Sequence, residues 1–596
     1  MGLIKEKRIS TVIHLSRQAF GRYKLQIIIL VILGILSGFL EGIGINALIP
    51  FFSLIVGDSG GGTDVISQTI EKFFSFLRID FNLKYLLIFI CSLFVLKSVV
   101  LLICTYLRIK ITTDYENQTR NKLFKETFKA TWPYLIKQKV GHLDTILMKE
   151  VEYGSILLQQ ISSGIMVITG LLIYILVAVN ISLIITLITL VLGAFVFLLF
   201  KPLIYKTRIV SGKIADLNKV IAHFVNQSII GIKSIKARQA GQQVVKKATE
   251  FFDDLRNNKI KAALYKSVTG VFLQPIVLIF ICLVFAFSYK SADFNFAVLA
   301  AIIYLIQRIF QYIQQLEISL QRINESYPFL KSSLSYEAEV LTHQEAVTGS
   351  KPFNFNRSLE FDGVGFDYNS DSRVLDKVSF GVDKNEMVGL IGPSGAGKTT
   401  VVDLILRLFE PLSGRILLDG VDISEIDIKD WRQKIGYVSQ DMFLINGTVA
   451  ENIRFYNDAI SDEEVVTAAK MANIYDFIQT CPDKFETIVG ERGVLFSAGQ
   501  RQRIVIARIL AQQPELLIMD EATSALDNES EGKIQKVIEN LKGKITVFVI
   551  AHRLSTVIAT DQLLVLKEGK IMEQASPEEL LKNKESYFYK LYNLRK

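Results

Sequence analysis

The sequence is poor in cysteine, with four in 596 residues. The four are scattered, and no two have the spacing of a metal-binding motif: Cys91, Cys104, Cys282 and Cys481. The net charge of +8 is modest for this length, and the distribution of basic residues favours an anionic membrane face over nucleic acid. The apolar run after the basic N-terminal stretch is too long for a signal peptide, so we expect none. A cysteine-bound metal and nucleic-acid binding are therefore not expected.

Long hydrophobic runs, by contrast, are abundant. Half of the residues are hydrophobic, and the mean hydropathy of +0.34 is high for a soluble enzyme. In the first half of the chain the apolar runs approach the ~20 residues that span a bilayer. We therefore predict an all-α transmembrane domain over residues 1–340, with an interfacial helix at 8–22 and six membrane helices. These six lie near 25–56, 84–108, 156–179, 182–207, 268–289 and 295–325.

Basic residues are concentrated in the two long connections, which follow the second and fourth apolar runs. The positive-inside rule makes these connections and both termini cytoplasmic, which predicts a multi-pass protein of the cell inner (plasma) membrane. Both connections have helical periodicity, so the membrane helices are expected to continue into the cytoplasm. Each has a break, at Trp132-Pro133 and between Gly231 and Gly241. The break is either an ordinary helix–helix turn or an element that docks on a cytoplasmic domain.

The first external connection contains an amphipathic segment at residues 64–78. Its large apolar side chains share one helical face: Ile66, Ile70, Phe73, Phe74 and Leu77. Two interpretations are open. The helix lies on the membrane surface, where it handles substrate, or it packs on the membrane domain as a simple lid.

Few charges interrupt the apolar runs, and they include Glu41, Lys97, Lys201 and Arg308. Charged side chains are costly against lipid and usually face a cavity or a partner. Lys201 lies near a predicted helix end, where its ammonium group reaches water. Glu41, Lys97 and Arg308 are candidates for a substrate path or for ion pairs between helices, and the two roles are compatible.

After residue 340 the composition changes. Residues 341–356 are polar with scattered glycine and proline and are predicted to form a linker. Residues 357–596 alternate apolar strands with helical stretches, which predicts an α/β domain.

A phosphate-binding motif follows the apolar run Val388–Ile391. Gly392, Gly397, Lys398 and Thr399 fit the pattern Gly-x-x-x-x-Gly-Lys-[Ser/Thr], and a helical stretch follows. Glycines let successive backbone N–H groups converge on a phosphate at a helix N-terminus. We therefore predict that ATP binds here, at Gly392, Pro393, Ser394, Gly395, Ala396, Gly397, Lys398, Thr399 and Thr400.

A second apolar run, Leu516–Met519, ends in Asp520 and Glu521. A carboxylate at the end of a strand near a P-loop suits Mg²⁺, which predicts that role for Asp520. Glu521 is then placed to orient or deprotonate the attacking water.

Together the motifs resemble those of an ABC transporter half of the exporter type, and the resemblance covers essentially the whole chain. The remaining motifs are Gln440, Gly490-Glu491-Arg492-Gly493, Phe496-Ser497-Ala498-Gly499-Gln500, Ser524-Ala525-Leu526-Asp527 and Ala551-His552-Arg553. They resemble the glutamine loop, the segment before the signature, the signature, the D-loop and the switch histidine. The resemblance implies a transmembrane domain with the ABC exporter fold, followed by an α/β P-loop NTPase domain.

The resemblance also implies a head-to-tail dimer, in which each ATP lies between one P-loop and the signature of the other subunit. A homodimer is the simplest case, because one chain has one of each. Glu521 and His552 would be catalytic, and Mg²⁺ would be held at Thr399, Gln440 and Asp520. The ATP site would be completed by Tyr368 stacking on adenine, together with Gln440, Asp520, Ser497, Gly499 and Gln500.

Two residues depart from the usual signature Leu-Ser-Gly-Gly, namely Phe496 and Ala498. Alanine restricts φ relative to glycine. We therefore expect Ala498 either to slow ATP hydrolysis or to alter the geometry of the dimer.

The resulting prediction is an ATP-driven exporter or flippase of an amphipathic substrate, with membrane lipids and that substrate as partners. The external helix resembles that of lipid-linked oligosaccharide flippases, and Lys97 and Arg308 would suit a phosphate head group. These features favour a lipid or lipid-linked oligosaccharide. A multidrug or peptide exporter, an importer with the exporter fold and an ATP-gated channel remain the alternatives.

Overall fold

The computed structural model describes residues 18–47, 50–51, 65–76, 78–139, 141–289, 296–346, 348–368, 373–520, 528–551 and 554–594. The chain forms two compact units. The membrane unit comprises residues 1–130 and 134–344, and the C-terminal unit comprises residues 131–133 and 345–596. The boundary at residue 344 lies inside the predicted linker, because the last helix of the membrane unit continues to Thr342.

The described part of the chain up to residue 344 is built mainly of helices. They are α1 (Lys24–Asn46), α2 (Val65–Phe76), α3 (Leu83–Phe128), α4 (Trp132–Leu135), α5 (His142–Thr145), α6 (Val151–Ile181), α7 (Leu183–Ile230), α8 (Ile232–Ala237), α9 (Gly241–Ser288) and α10 (Phe296–Thr342). A 3₁₀ turn at Gly21–Tyr23 precedes α1, and a π-helical turn at Ile146–Glu150 joins α5 to α6.

Within the described residues, five helical stretches are long and apolar enough to cross a membrane. They are Gln18–Ile45, Leu83–Phe128, His142–Ile181, Leu183–Ile230 and Gly241–Phe287. The sixth predicted span lies on α10, which is not among the five. Polar side chains interrupt the apolar run of α10 at Gln307, Arg308, Gln311, Gln314 and Gln315.

Four helices are much longer than the predicted spans. Helices α3, α7, α9 and α10 contain 46, 48, 48 and 47 residues, which corresponds to about 70 Å each at the rise of an α-helix. The extra turns of α3 lie in the first long basic connection, and those of α7 and α9 form most of the second, as the periodicity of these connections indicated. The predicted breaks in these connections contain the short helices α4 and α8.

The amphipathic segment of the first external connection forms α2, which packs on the membrane unit. Ile70 and Phe74 are buried against Ala47, Leu86 and Ile90. The side chain of Phe76, by contrast, is 83% exposed. Gly57–Gly62, Ile66 and Leu77 lie outside the residues whose side chains are described.

The predicted interfacial helix at 8–22 is described only from residue 18. Phe20 and Tyr23 are buried, and their rings lie 5.1 and 6.5 Å from the ring of Tyr115 on α3. The start of the described chain is therefore anchored on the membrane unit by aromatic packing.

The C-terminal unit contains two β-sheets. The strands are β1 (Ser358–Asp367), β2 (Arg373–Asp383), β3 (Met387–Ile391), β4 (Ser413–Leu418), β5 (Val421–Asp422), β6 (Ile435–Val438), β7 (Leu516–Asp520), β8 (Thr546–Ile550), β9 (Gln562–Lys567) and β10 (Lys570–Ala575). An antiparallel sheet has the order β2-β1-β4-β5, and a six-stranded sheet has the order β10-β9-β3-β8-β7-β6. In the second sheet β3, β6, β7, β8 and β9 are parallel, and β10 is antiparallel.

Helices connect the strands of the C-terminal unit. They are α11 (Lys398–Ile405), α12 (Ile428–Lys434), α13 (Val449–Arg454), α14 (Asp462–Met471), α15 (Tyr475–Thr480), α16 (Ala498–Leu510), α17 (Asn528–Leu541), α18 (Leu554–Ile558), α19 (Pro577–Lys582) and α20 (Tyr587–Leu594). Every residue of β3, β7 and β8 is buried. Parallel strands that are covered on both faces have continuous apolar sequences, so these three strands can be recognised from the sequence.

Candidate functional site

The P-loop joins the end of β3 to the start of α11. Gly395 and Gly397 have φ values of 79° and 103°, in the left-handed region that glycine adopts most easily. At Gly392 a Cβ would lie 2.0 Å from the carbonyl oxygen of Leu566, so no side chain fits there. The loop backbone is therefore shaped as a cradle, with Pro393, Ser394 and Gly395 exposed.

Lys398 is buried at the first position of α11. Its ammonium group donates hydrogen bonds to the backbone oxygens of Gly392, at 3.0 Å, and Pro393, at 3.1 Å. The ammonium charge is thus held over the same loop whose N–H groups would receive a phosphate. This geometry fits the predicted role of Lys398.

Asp520 lies at the edge of the sheet from which the P-loop starts. In the register of the parallel strands, Leu390 pairs with Ile550, and Ile550 pairs with Asp520. Because β3 ends one residue after Leu390, Asp520 is level with the entrance to the P-loop. On the other side Val438 pairs with Met519, so Gln440 follows the same edge two residues further on. Asp520 and Gln440, predicted to hold Mg²⁺, thus lie at the sheet edge from which the P-loop starts.

Tyr368 contacts the P-loop helix through its hydroxyl group. The hydroxyl lies 3.0 Å from Oγ1 of Thr400 and donates at 3.5 Å to a carboxylate oxygen of Asp403. Thr400 is buried, whereas Thr399 is exposed. The ring of Tyr368 is half exposed and packs edge-on against Phe409. Its stacking on adenine stays a prediction.

Two residues near Asp520 were not singled out from the sequence. Burial, and then the neighbouring carboxylate of Asp520, raise the pKa of Asp403 to about 6. Burial, followed by Asp520 and Asp403, also raises the pKa of Tyr437. Asp403 lies one turn after Thr399 on α11, and Tyr437 is the penultimate residue of β6. Helical spacing from the P-loop could have identified Asp403.

The signature segment forms the N-terminus of α16. Ser497 is the N-cap: its Oγ accepts from the Gln500 N–H at 3.3 Å, and Gln500 Oε1 accepts from the Ser497 N–H at 2.8 Å. A Cβ on Gly499 would lie 2.4 Å from Oγ of Ser530 on α17, so this glycine allows the two helices to approach. The three residues predicted to contact ATP are thus adjacent at one helix N-terminus.

The structure accommodates both residues that depart from the usual signature, Phe496 and Ala498. Phe496 is buried, and its ring packs edge-on against Phe477 with 5.7 Å between centroids. Ala498 is the first residue of α16 and is not among the described residues with positive φ. An alanine is accommodated here without strain, so the φ restriction expected from the sequence does not arise in this backbone.

The segment after Gln440 is attached to the signature helix by a buried arginine that sequence reasoning missed. Arg508 donates from Nε to the backbone oxygen of Asn452, at 2.8 Å, and from Nη1 to that of Phe443, at 2.8 Å. Its guanidinium also lies 4.1 Å from the centre of the Phe455 ring. Burial lowers the pKa of Arg508 to about 10.

In the membrane unit, the three charges predicted to lie on a substrate path form one cluster. Glu41 is 2% exposed and pairs with Lys97 at 2.7 Å and Arg308 at 3.2 Å. Tyr312 donates to the second carboxylate oxygen of Glu41 at 3.3 Å. All four residues line a cavity of about 430 Å³. The three charges therefore form interhelical ion pairs and line a cavity at the same time, whereas Lys201 is exposed.

Several predicted site residues lie outside the described residues. They are Glu521 and His552, the predicted catalytic pair, together with Ser524, Ala525, Leu526, Asp527 and Arg553. Their roles stay predictions. The described strand ends that precede them, Asp520 and Ile550, are register partners.

Two family models match the chain. The ABC transporter transmembrane region matches residues 27–315, and the ABC transporter model matches residues 375–524. Together they cover more than half of the 596 residues, in the order membrane region then ATP-binding region.

Curated relatives are also similar. The heterocyst differentiation ATP-binding protein HepA of Nostoc sp. is 36% identical over 386 residues, covering 62% of this chain and 60% of HepA. An ATP-dependent lipid A-core flippase of Saccharophagus degradans is 34% identical over 381 residues, covering 63% of this chain and 64% of the flippase. The chain thus spans about three-fifths of the length of these relatives.

The structure of a bacterial Atm1-family ABC exporter with ATP bound resembles the whole chain. The TM-score is 0.76 at 22% identity, with 97% of this chain and 98% of that chain covered. This likeness establishes the fold, an ABC exporter fold with a helical transmembrane domain followed by an α/β nucleotide-binding domain. With both family models matched in order, the chain belongs to the ABC transporter family.

Proposed function

We propose that this protein is an ATP-driven exporter or flippase that moves an amphipathic substrate out of the cytoplasmic side of a membrane. One observation carries the proposal: the chain combines a P-loop with a membrane unit that has charged residues in a cavity. Asp520 lies beside the start of the P-loop in the sheet, and the cavity is lined by Glu41, Lys97 and Arg308. The P-loop suits the binding and hydrolysis of a nucleoside triphosphate. Charged side chains in a membrane domain cost free energy, so the charged cavity is expected to serve a function.

The ATP site is proposed to be shared between two copies of the chain. Gly392–Thr400 would cradle the phosphates, and the signature of the partner subunit, at Ser497, Gly499 and Gln500, would cover them. The exposed Ser497 at the N-cap of α16 supports this arrangement, because a helix N-terminus attracts anions. A homodimer is the simplest assembly with two such sites.

Mg²⁺ is proposed to bind at Thr399, Gln440 and Asp520. The sheet register supports this site, because Asp520 ends β7 and Gln440 follows the end of β6 at the sheet edge from which the P-loop starts. The ion would neutralise phosphate charge during hydrolysis. Glu521 would orient the attacking water, and His552 would hold the terminal phosphate.

The substrate is proposed to be a lipid or a lipid-linked oligosaccharide. The similarity to a lipid A-core flippase supports a lipid, and the cationic cavity supports a head group that carries negative charge. The external helix α2 ends in the exposed Phe76, which leaves an apolar side chain for contact with lipid. A drug or peptide exporter would instead show ATPase activity that drugs or peptides stimulate.

We propose that the protein lies in the inner (plasma) membrane with both termini and the C-terminal unit in the cytoplasm. The basic connections support this orientation by the positive-inside rule. Directional transport in inside-out vesicles separates an exporter from an importer, and substrate-stimulated ATPase activity argues against a channel.

The proposal is tested by ATPase activity of the full chain in nanodiscs, against lipids, lipid-linked sugars, peptides and drugs. We expect a lipid-class substrate to stimulate hydrolysis. In Glu521→Gln, ATP should still bind while turnover collapses. Near-normal hydrolysis in that variant would remove Glu521 from the mechanism, and stimulation only by peptides or drugs would overturn the substrate class.

A further inference from the structure

We propose that the membrane unit holds an anion-binding subsite at Arg108 and Arg322, and that Glu41 acts as a built-in counter-anion masking Lys97 and Arg308 in the same cavity. The inference deepens the proposed function and rests on it, because it assigns the chemistry of the head group. The ligand class is an amphiphile with a phosphate or diphosphate head.

The charge of the cavity lining is unbalanced. Four cationic side chains line it, Lys97, Arg108, Arg308 and Arg322, but only one acidic side chain does so among the described residues, Glu41. The charged side chains of this lining therefore sum to +3, and two of the cations, Arg108 and Arg322, have no carboxylate partner in it. A net positive cavity in a membrane domain is expensive without an anionic ligand.

The lining has two levels. At the first level, Glu41 joins Lys97 of α3 to Arg308 of α10. Arg108 follows Lys97 by eleven residues on α3, and Arg322 follows Arg308 by fourteen on α10. At 1.5 Å per residue these separations are about 16 and 21 Å.

Contacts with α6 place Arg108 and Arg322 at a common second level. Arg108 donates from Nη1 to Oγ of Ser163 at 2.8 Å. A Cβ on the next residue, Gly164, would lie 4.0 Å from Cβ of Ser319, which is one turn from Arg322 on α10. Ser163, Ser319 and Arg322 all line the cavity.

The second level is the one with unmatched charge. Within the described part of the chain, neither Arg108 nor Arg322 forms an ion pair, and the buried Nε of Arg108 has no hydrogen-bond partner. A buried guanidinium N–H without a partner costs free energy. Phosphate oxygens match the fork of a guanidinium, so a phosphorylated head group would satisfy it.

The first level is already neutralised in part. Glu41 holds both Lys97 and Arg308, and Arg308 is oriented further by donating from Nε to the Tyr304 hydroxyl at 2.9 Å. An anion that reaches this level must compete with Glu41 for the two cations. Glu41 thus weakens anion binding at the first level, which favours release over retention.

A second cavity provides room for an apolar tail. It has a volume of about 770 Å³ between α9 and α10, and Gln311 lines both cavities. Its apolar lining includes Leu273, Val277, Ile281 and Phe310. A ligand with a charged head and a hydrocarbon tail would use both cavities, which share Gln311 in their linings.

The test uses the full chain in nanodiscs of zwitterionic phosphatidylcholine, which has no net charge, without nucleotide. The probes are radiolabelled farnesyl diphosphate, and farnesol as a ligand with the same tail and no charge. The variants are Arg108→Gln, Arg322→Gln and Glu41→Gln. Lys110→Gln is the matched control, because Lys110 is exposed and lies two residues from Arg108 on α3. Arg322 is also exposed, so its variant is expected to fold.

We expect Arg108→Gln and Arg322→Gln each to weaken farnesyl diphosphate binding at least fivefold, with farnesol binding unchanged. Glu41→Gln should strengthen diphosphate binding at least threefold, and Lys110→Gln should bind as the wild type does. Unchanged affinity in both arginine variants, or an equal loss in Lys110→Gln, would overturn the subsite. Unchanged or weaker binding in Glu41→Gln would overturn the counter-anion role.

This measurement separates the subsite from the proposed function. Because nucleotide is absent, binding does not depend on the P-loop. If the chain transports a lipid but does not prefer farnesyl diphosphate to farnesol, only the anion-subsite hypothesis is contradicted. If the chain binds farnesyl diphosphate selectively but hydrolyses no ATP, only the proposed function is contradicted.

Discussion

The guanidinium of Arg508 donates to both the backbone oxygen, at 2.8 Å, and the side-chain oxygen, at 3.1 Å, of Asn452. Asn452 is fully buried and in turn donates to the backbone oxygens of Ile445 and Thr448. The pair therefore connects the signature helix to the segment that follows Gln440. Movement of one element is expected to carry the other with it.

Arg508→Lys tests this connection. A lysine has one ammonium group and cannot make the forked set of bonds, so buried acceptors lose partners at about 1–3 kcal/mol each. We expect a lower Tm of the C-terminal unit by calorimetry and a several-fold lower ATPase rate. Arg357→Lys is the control, because the Arg357 side chain is exposed. Equal melting of the two variants would contradict the connection.

The shape of the P-loop is tested by Gly392→Ala. The new methyl group would meet the Leu566 oxygen at 2.0 Å, so the loop must move away from β9. We expect at least a tenfold loss of ATP affinity in equilibrium binding. Gly532→Ala provides the comparison, because a methyl group on Gly532 in α17 would meet nothing within 4 Å. That change should preserve ATP affinity and stabilise by up to about 1 kcal/mol through helix propensity.

Ala498→Gly restores the usual residue of the signature. Because Ala498 begins a regular helix, we expect the ATPase rate to stay within about twofold of wild type, and the stability to fall by up to about 1 kcal/mol. The rate is measured at saturating ATP. A several-fold faster rate would mean that the alanine does restrict the working geometry.

The pH dependence of stability is tested at Asp419, which anchors the start of β1. Its carboxylate accepts from the N–H groups of Asn356 and Arg357 at 2.7 Å and of Ser358 at 3.0 Å. Burial, the largest single influence, raises the pKa of Asp419, but the hydrogen bonds together hold it below the usual value. Its stabilisation is therefore present above the unfolded pKa of about 3.9 and is lost as the pH falls through the lower folded value.

Asp419→Asn should accordingly be less stable than wild type at pH 7, and the difference should shrink as the pH falls below about 4. Denaturant unfolding at a series of pH values measures this. Asp458→Asn, at an exposed position, should follow the wild-type curve. A stability difference that grows with acidification would reverse the assigned sign.

The external helix is tested by two phenylalanines on α2. Phe74 is 3% exposed and Phe76 is 83% exposed, so Phe74→Ala should cost about 3–5 kcal/mol of stability and Phe76→Ala almost nothing. If α2 handles substrate, deletion of residues 64–78 abolishes transport and spares basal ATPase activity. Unchanged transport in the deletion would make the helix a lid.

The sequence predicts the nucleotide site better than the membrane unit. The P-loop and the strand before Asp520 are local patterns, and the sheet register then brings them together. The pairing of Glu41 with Lys97 and Arg308 joins three helices far apart in the chain, and Arg108 near a helix end resembles an ordinary basic residue. Arg508 was missed for the same reason, since its partners are 56 and 65 residues away. Long-range contacts of polar side chains leave no periodic signal.

The central claim, that ATP at the P-loop drives outward transport, is tested most directly in inside-out vesicles that contain the full chain. The measured quantity is accumulation of radiolabelled farnesyl diphosphate with and without ATP, in wild type and in Lys398→Ala. We predict ATP-dependent accumulation in wild type and none in Lys398→Ala. Equal accumulation in both, or ATP-dependent loss of preloaded ligand from the vesicles, would contradict the claim.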